Sequence, residues 1–310
     1  MGFRVFTTFL LFVSASASAQ TSPVRPAQTP NPDADSEITD LLLQESLLPN
    51  LDARVEFVSA QFIGRPYFEG GPLGEGPSGK YDQDPLYRTD GFDCTTFVET
   101  VMSIARSTSL ENFAIQQNQI RYKDGVIDFT QRNHFVEIDW NPNNIAAGIF
   151  TDISSLVASP EQVGFSDRVI SKKNWYASLP ANMIQLLNSV SIDLIALLDS
   201  LHAEGAAFPD VNSHLAYVKK EALLAIQNKL PTPAVLNIVR NEPVDGSTTL
   251  YAQVTHQVLL FSKDRNLRVR QDSSKTENMK VIDQPFAEFV QDQLASPSTV
   301  GVNILKALDP

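Results

Sequence analysis

Cysteine occurs once in this chain of 310 residues, at position 94, so no disulfide within the chain can staple a small or loop-rich fold. Buried apolar surface must hold it together instead. With 43% hydrophobic and 19% charged residues, the chain can build one large core or two modest ones. Collagen-like and wholly disordered readings are excluded. Asp plus Glu outnumber Lys plus Arg by 36 to 24, a formal charge of −12, and no basic run stands out. Nucleic acid is therefore not an expected partner.

The N-terminus sharpens the constraint, because it reads as an export signal. Arg4 precedes an apolar run from Val5 to Val13, and the small residues from Ser14 to Ala19 precede Gln20, which predicts a signal peptide over 1–19. The run is far shorter than the roughly 20 residues a membrane helix needs. The mature chain is thus expected to be exported, periplasmic or secreted, without an integral membrane segment. Residues 20–36, rich in Pro, Thr, Gln and Asp, read as a disordered leader, which leaves 37–310 as a single domain.

Apolar periodicity predicts a helix through Ile38, Leu41 and Leu42 with Ser36 as N-cap, and a second through Val55, Val58 and Phe62. Residues 64–91 hold seven of the 14 glycines and four prolines and read as loop. Helices are expected over Thr95–Arg106 and Leu110–Ile120, with short strands at Val126–Phe129 and Phe135–Ile138. Helices expected over Asn182–Leu201 and Ser213–Leu230 make 141–232 an inserted helical segment. Strands follow at Ala234–Val239, Leu250–Phe261, Leu267–Gln271, Met279–Ile282 and Val300–Leu305, with a helix over 285–293. The fold class is α+β.

Chemistry concentrates at Cys94. Gly91 breaks the chain, Asp93 is placed to cap a helix, and Phe97, Val101, Ile104 and Ala105 follow one helical face. Cys94 then lies in the first turn, where free N–H groups and the helix dipole favour an anion and a lowered thiol pKa. That is the setting of a nucleophile, the alternative being an inert core thiol. Of the four histidines, His202 and His214 read as solvated helix ends, and His134 lies at a polar-to-apolar turn near Trp140. His256 lies mid-strand, on the face of Val254, Val258 and Leu260, which makes it the best candidate base. Gln271 continues the apolar face of Leu267 and Val269, while Arg268 and Arg270 take the other face. A hairpin turning at Lys263 and Asp264 would put Gln271 directly opposite His256; a turn two residues longer would put it diagonally opposite, still able to orient the imidazole. No metal-ligand spacing is present.

The segments FDCTTFVE, IRYKDG, RNHFVEIDW, THQVLLF and RQDSS resemble the N-acetylmuramoyl-L-alanine amidase-like family, a branch of the papain-like NlpC superfamily of cell-wall cysteine hydrolases. The resemblance spans about 38–306. It implies Cys94 as nucleophile, His256 as base and Gln271 as orienter, although the family's usual histidine, valine, glycine reads His256, Gln257, Val258 here, and relatives commonly carry histidine where this chain has Gln271. It further implies a papain-like α+β fold with the nucleophile's helix packed on an antiparallel sheet. The reaction implied is hydrolysis of the amide between the muramoyl lactyl group and L-Ala, on a peptidoglycan or muropeptide substrate and with no cofactor or metal. Asp93, Arg121, Tyr122, Arg132, His134 and Trp140 fall in the matching segments as substrate-binding candidates, with turn and core roles as the alternative. Three other readings stay open: an endopeptidase cutting between γ-D-Glu and the diamino acid, an acyl-transfer enzyme of transglutaminase type, and a non-catalytic wall-binding module.

Overall fold

The computed structural model describes residues 32–69, 71–188, 192–241 and 252–310. The expected signal peptide, nearly all of the leader and the predicted strand start at Leu250 lie outside them. Two N-terminal helices, α1 (Ala34–Glu45) and α2 (Leu51–Gln61), precede α3 (Cys94–Ala105) and α4 (Leu110–Arg121). Helix α1 starts two residues before Ser36, so Asp33 takes the N-cap position and the leader ends earlier than its composition suggests. Then come α5 (Asn141–Ala146), β1 (Phe150–Asp152), α6 (Ser154–Val157), β2 (Val163–Ser171), α7 (Lys172–Ser178), α8 (Leu194–Gly205) and β3 (Asp210–Lys219). The C-terminal part is α9 (Leu223–Ile226), β4 (Ala234–Arg240), β5 (Val254–Lys263), β6 (Asn266–Ser273), β7 (Lys280–Pro285), α10 (Phe286–Ala295) and β8 (Thr299–Ala307).

The strands form one antiparallel sheet in the order β2-β3-β8-β4-β5-β6-β7, with β1 also pairing β8. The two faces of its centre carry separate cores. Val235, Leu259 and Leu305 meet α1, α2 and α3, whereas Leu236, Ile238, Val258, Leu260 and Val269 meet Phe286, Phe289 and Val290 of α10. A central strand buried on both faces reads as a continuous apolar run, which is what Val258 to Phe261 show.

Several expected elements are corrected. The segment 141–232 is not wholly helical: β2 and β3 pair antiparallel across the crossover through α7 and α8, and β3 joins β8. Thus Ser213–Leu230 is strand followed by short helical turns, and the helix expected from Asn182 begins only at Leu194, capped by Asp193. Valine, tyrosine and serine alternate through β3, and sheet pairing decides a pattern that helix periodicity also fits. The strands expected at Val126–Phe129 and Phe135–Ile138 are instead loop with a 3-10 turn at Phe129–Gln131, and a π-helix at Val136–Trp140. These residues are too few to pair, and their backbone groups close locally.

The hairpin between β5 and β6 turns at Asp264 and Arg265, both with left-handed φ (51° and 64°), one position later than Lys263–Asp264. This geometry matches the twist of the flanking strands. It pairs Leu259 with Arg270, and continuing that register puts Gln271 opposite Val258 and diagonal to His256. Direct opposition is therefore corrected to diagonal pairing. Arg270 does not face water either. It is fully buried, bonded to Ser59 Oγ (2.6 Å) and Asp283 (2.5 Å), with its guanidinium over the Phe261 ring.

Candidate active site

Local sequence builds the start of α3. Asp93 accepts from the Thr96 N–H at 2.7 Å, and Thr96 Oγ1 accepts from the Asp93 N–H at 2.8 Å, a reciprocal cap that sets where the helix begins. Ahead of it, Gly91 lies against the Phe68 ring so closely that a Cβ would collide, which fixes how the loop enters the helix. The cap leaves the N–H groups of Cys94 and Thr95 without intrahelical acceptors. Cys94 is half-buried, with Thr95 Oγ1 at 4.0 Å from its sulfur.

Strand β5 supplies the facing groups. The Gln257 main chain adjoins the Cys94 sulfur and favours its thiolate form, so α3 meets β5 at the residue after His256. The His256 imidazole is bonded through Nε2 to Gln271 Oε1 at 2.6 Å. Because an amide oxygen only accepts, Nε2 carries the proton and Nδ1 keeps a free lone pair. The expectation that His256 shares its strand face with the cover of the nucleophile helix is corrected: Val258 and Leu260 lie under α10, and α3 covers the other face with Leu259. Beside His256 the strand carries a bulge. Pairing with β4 shifts between Ile238–His256 and Val239–Val254, leaving Thr255 as the extra residue and breaking the alternation beside His256.

Electrostatics at the site run against a preformed ion pair. Burial, then the Asp93 carboxylate, push the Cys94 thiol up to about 12, which overturns the lowered value expected from helix position alone. Burial pushes His256 down to about 4, against a smaller upward pull from its Gln271 bond. At neutral pH both groups are uncharged, so proton transfer has to accompany attack. Two neighbours escaped sequence reasoning. Asp272 is fully buried, its two carboxylate oxygens lack partners, and burial followed by Asp93 raises it to about 8. Tyr67 is raised by burial and then by the charges of Cys94 and Asp93. Asp272 ends the Arg268 and Arg270 row of β6, and only the burial of that row would have marked it.

The remaining expected site residues lie elsewhere, and five of the substrate-binding candidates spend polar atoms on partners within the fold. Arg121 is buried, with Nη1 on Glu99 (2.8 Å) and Nη2 on the Leu73 carbonyl (2.6 Å). Tyr122 donates to the Gly74 carbonyl at 2.8 Å, and Arg132 pairs with Glu75 (2.5 Å) and Asp82 (2.9 Å). Trp140 is fully buried and donates to Glu99 at 3.1 Å. His134 holds the Phe129 carbonyl at 2.8 Å among Phe129, Trp175 and Tyr176, and burial lowers its pKa well below the usual imidazole range. Arg121, Tyr122 and Arg132 tie the long loop 64–91 to α4 and the chain after it. Asp93 alone of the six adjoins the nucleophile. His202 bonds the Leu179 carbonyl near the end of α8, while His214 lies within β3, exposed and stacked on Phe165, rather than at a helix start.

No group of His, Cys, Asp and Glu that could hold a metal occurs among the described residues, and no helix among them is long and apolar enough to cross a membrane. The family model described as AmiA-like, N-acetylmuramoyl-L-alanine amidase-like, matches residues 57–296. That span contains Cys94, His256 and Gln271. A solved structure of a Legionella pneumophila protein of the DUF1460 family is 31% identical, covers 89% of this chain and 95% of its own, and superposes with a TM-score of 0.82. Two structures of an N-acetylmuramoyl-L-alanine amidase from Bacteroides uniformis share the fold at 22% and 23% identity, with TM-scores of 0.55 and 0.57, over 83% and 84% of this chain and 98% and 99% of theirs. No curated protein matches. The chain belongs to the AmiA-like, N-acetylmuramoyl-L-alanine amidase-like family.

Proposed function

We propose that this chain is an exported peptidoglycan hydrolase, a thiol-dependent amidase that cleaves the bond between the N-acetylmuramoyl lactyl group and L-Ala. Its α3 on an antiparallel sheet is read as a papain-like arrangement of NlpC type, acting in the periplasm or outside the cell. The observation that carries the reading is the imidazole of His256, held through Nε2 by Gln271, one residue along β5 from the main chain that adjoins the Cys94 sulfur.

The mechanism follows from two neutral groups. His256 Nδ1 takes the thiol proton as sulfur adds to the amide carbonyl carbon, and the free N–H groups at the start of α3 stabilise the oxyanion. The imidazolium then protonates the departing L-Ala nitrogen as the C–N bond breaks, leaving a thioester of the lactyl group. Water, deprotonated by the same imidazole, adds to the thioester and releases the muramic acid product and the thiol. Gln271 fixes the tautomer throughout.

Mass analysis of the products from a defined muropeptide tests the reading. Release of the intact stem peptide with a free L-Ala amine is the expected result, absent in Cys94→Ser. Cleavage after γ-D-Glu would replace the amidase with an endopeptidase, transfer of the muramoyl lactyl group to an added amine would replace hydrolysis with acyl transfer, and binding without turnover would leave a wall-binding module.

A further inference from the structure

The π-helix Val136–Trp140 opens from the segment that resemblance offered for substrate binding, yet one of its side chains reaches the base's strand instead. Glu137 is buried, and its Oε1 accepts the main-chain N–H of Gln253 at 2.5 Å; the Val254 N–H also stabilises its carboxylate. The Gln253 side chain in turn donates to Ser166 of β2 at both the carbonyl (2.7 Å) and Oγ (2.6 Å). On the far side of His256, Gln257 Nε2 is bonded to Asn237 Oδ1 at 2.9 Å, within a buried amide network that includes Asn141 and Asn303. The bulge at Thr255 shifts the β4 pairing between these two anchors: His256 pairs with Ile238, Val254 with Val239, and the Gln253 carbonyl accepts from the Arg240 N–H at 2.9 Å.

We infer that Glu137 is a positioning residue for the base: by clamping Gln253 it fixes the backbone leading into the bulge, and so the direction in which His256 presents Nδ1 to the thiol. The inference rests on the amidase reading for the identity of the reaction, but the clamp concerns the imidazole itself. It also gives β2, inside the 141–232 segment, a part in the site, since Ser166 completes the anchor. Glu137 touches neither thiol nor imidazole in this arrangement, so its effect passes through the strand.

Glu137→Ala and Glu137→Gln separate a clamp from mere burial. Glutamine retains an acceptor oxygen at the same reach; alanine has none. Glu137→Ala is expected to lower kcat on a muropeptide by on the order of tens-fold per folded molecule with KM changed by less than about threefold. Glu137→Gln should recover most of that loss. By nuclear magnetic resonance the His256 imidazole, depressed to about 4 in the parent, should titrate closer to its ordinary value in the alanine variant and stay depressed in the glutamine variant. Should Glu137→Ala fail to fold, Glu137→Asp, one methylene short of Gln253, replaces it. Parental kcat and an unmoved His256 titration in the alanine or aspartate variant would overturn the inference. If the parent itself cleaves no muropeptide, the amidase reading fails, and the titration alone decides the clamp.

Discussion

Replacing the Cys94 thiol with a hydroxyl keeps the volume and removes the group that can ionise during attack. Cys94→Ser should therefore lose muropeptide hydrolysis while melting close to the parent, and retained turnover would place the nucleophile elsewhere. His256→Ala should be as severe, since attack loses its proton acceptor and the leaving amine its donor. Gln271→Ala should lower kcat by only on the order of tens-fold, because an orienting amide moves no proton. With His256 depressed to about 4, the acid limb of kcat/KM should fall near pH 4 and not near the usual imidazole value; a limb near 6.5 would contradict the burial argument. Asp272 allows an independent check. Its ionisation at about 8 puts a second carboxylate charge near the thiol. Asp272→Asn should therefore quicken alkylation of Cys94 above pH 8 and shift its midpoint downward, and an unchanged alkylation profile would remove Asp272 from the site. The capped cysteine was legible from eight consecutive residues because a helix N-terminus is a local device. The raised thiol was not, because burial comes from strands more than 150 positions away in the chain, β5 and β6.

At the scale of elements, α3 does two tasks with opposite faces of one helix. Its first turn presents Cys94, while Glu99 joins Arg121 of α4 and Trp140 in the core. Arg121→Ala leaves the Glu99 carboxylate buried without its cation, which should cost about 3–5 kcal/mol of stability. Calorimetry should register that loss, while KM of the folded fraction stays near the parent's. A KM rise of tenfold or more in folded protein would restore Arg121 to the substrate site. The helices before residue 122 and the strands after 233 follow from periodicity, because each buries a face through its own repeating pattern. The pair of β2 and β3 did not. Its exposed Phe165, Val169 and His214 blur the alternation, and pairing with β8 through only Val218 and Lys219 gives it little pattern to keep. Arginines and tyrosine in the matching segments signalled importance without saying for what, since their partners, Glu75, Asp82 and the carbonyls of Leu73 and Gly74, lie far away in a loop without regular structure.

Across the whole molecule, several carboxyls are buried in neutral form: Glu45 and Asp272 at about 8 and Glu137 at about 7, each raised chiefly by desolvation. A folded-state pKa above the unfolded one contributes stability that is complete below the unfolded value, near 4, and is lost as pH rises through 7 to 8. Cys94 acts in the same direction at higher pH. The melting temperature should therefore fall between pH 6.5 and 9, and Glu45→Gln together with Asp272→Asn should flatten the fall; a flat parental curve would show that these groups ionise normally. His134 and His256, both lowered, contribute stability that is present above about 6.5 and lost as pH falls toward 4. Charge balance, the missing disulfide and the capped cysteine helix were determined by sequence alone, because each depends on residue type or on neighbours within a turn. Tertiary structure decided that α3 and α10 cover opposite faces of the sheet, that a bulge interrupts β5 beside His256, and that both groups rest uncharged. The physical reason is that desolvation and strand register depend on what packs from elsewhere in the chain, and no local pattern encodes those neighbours.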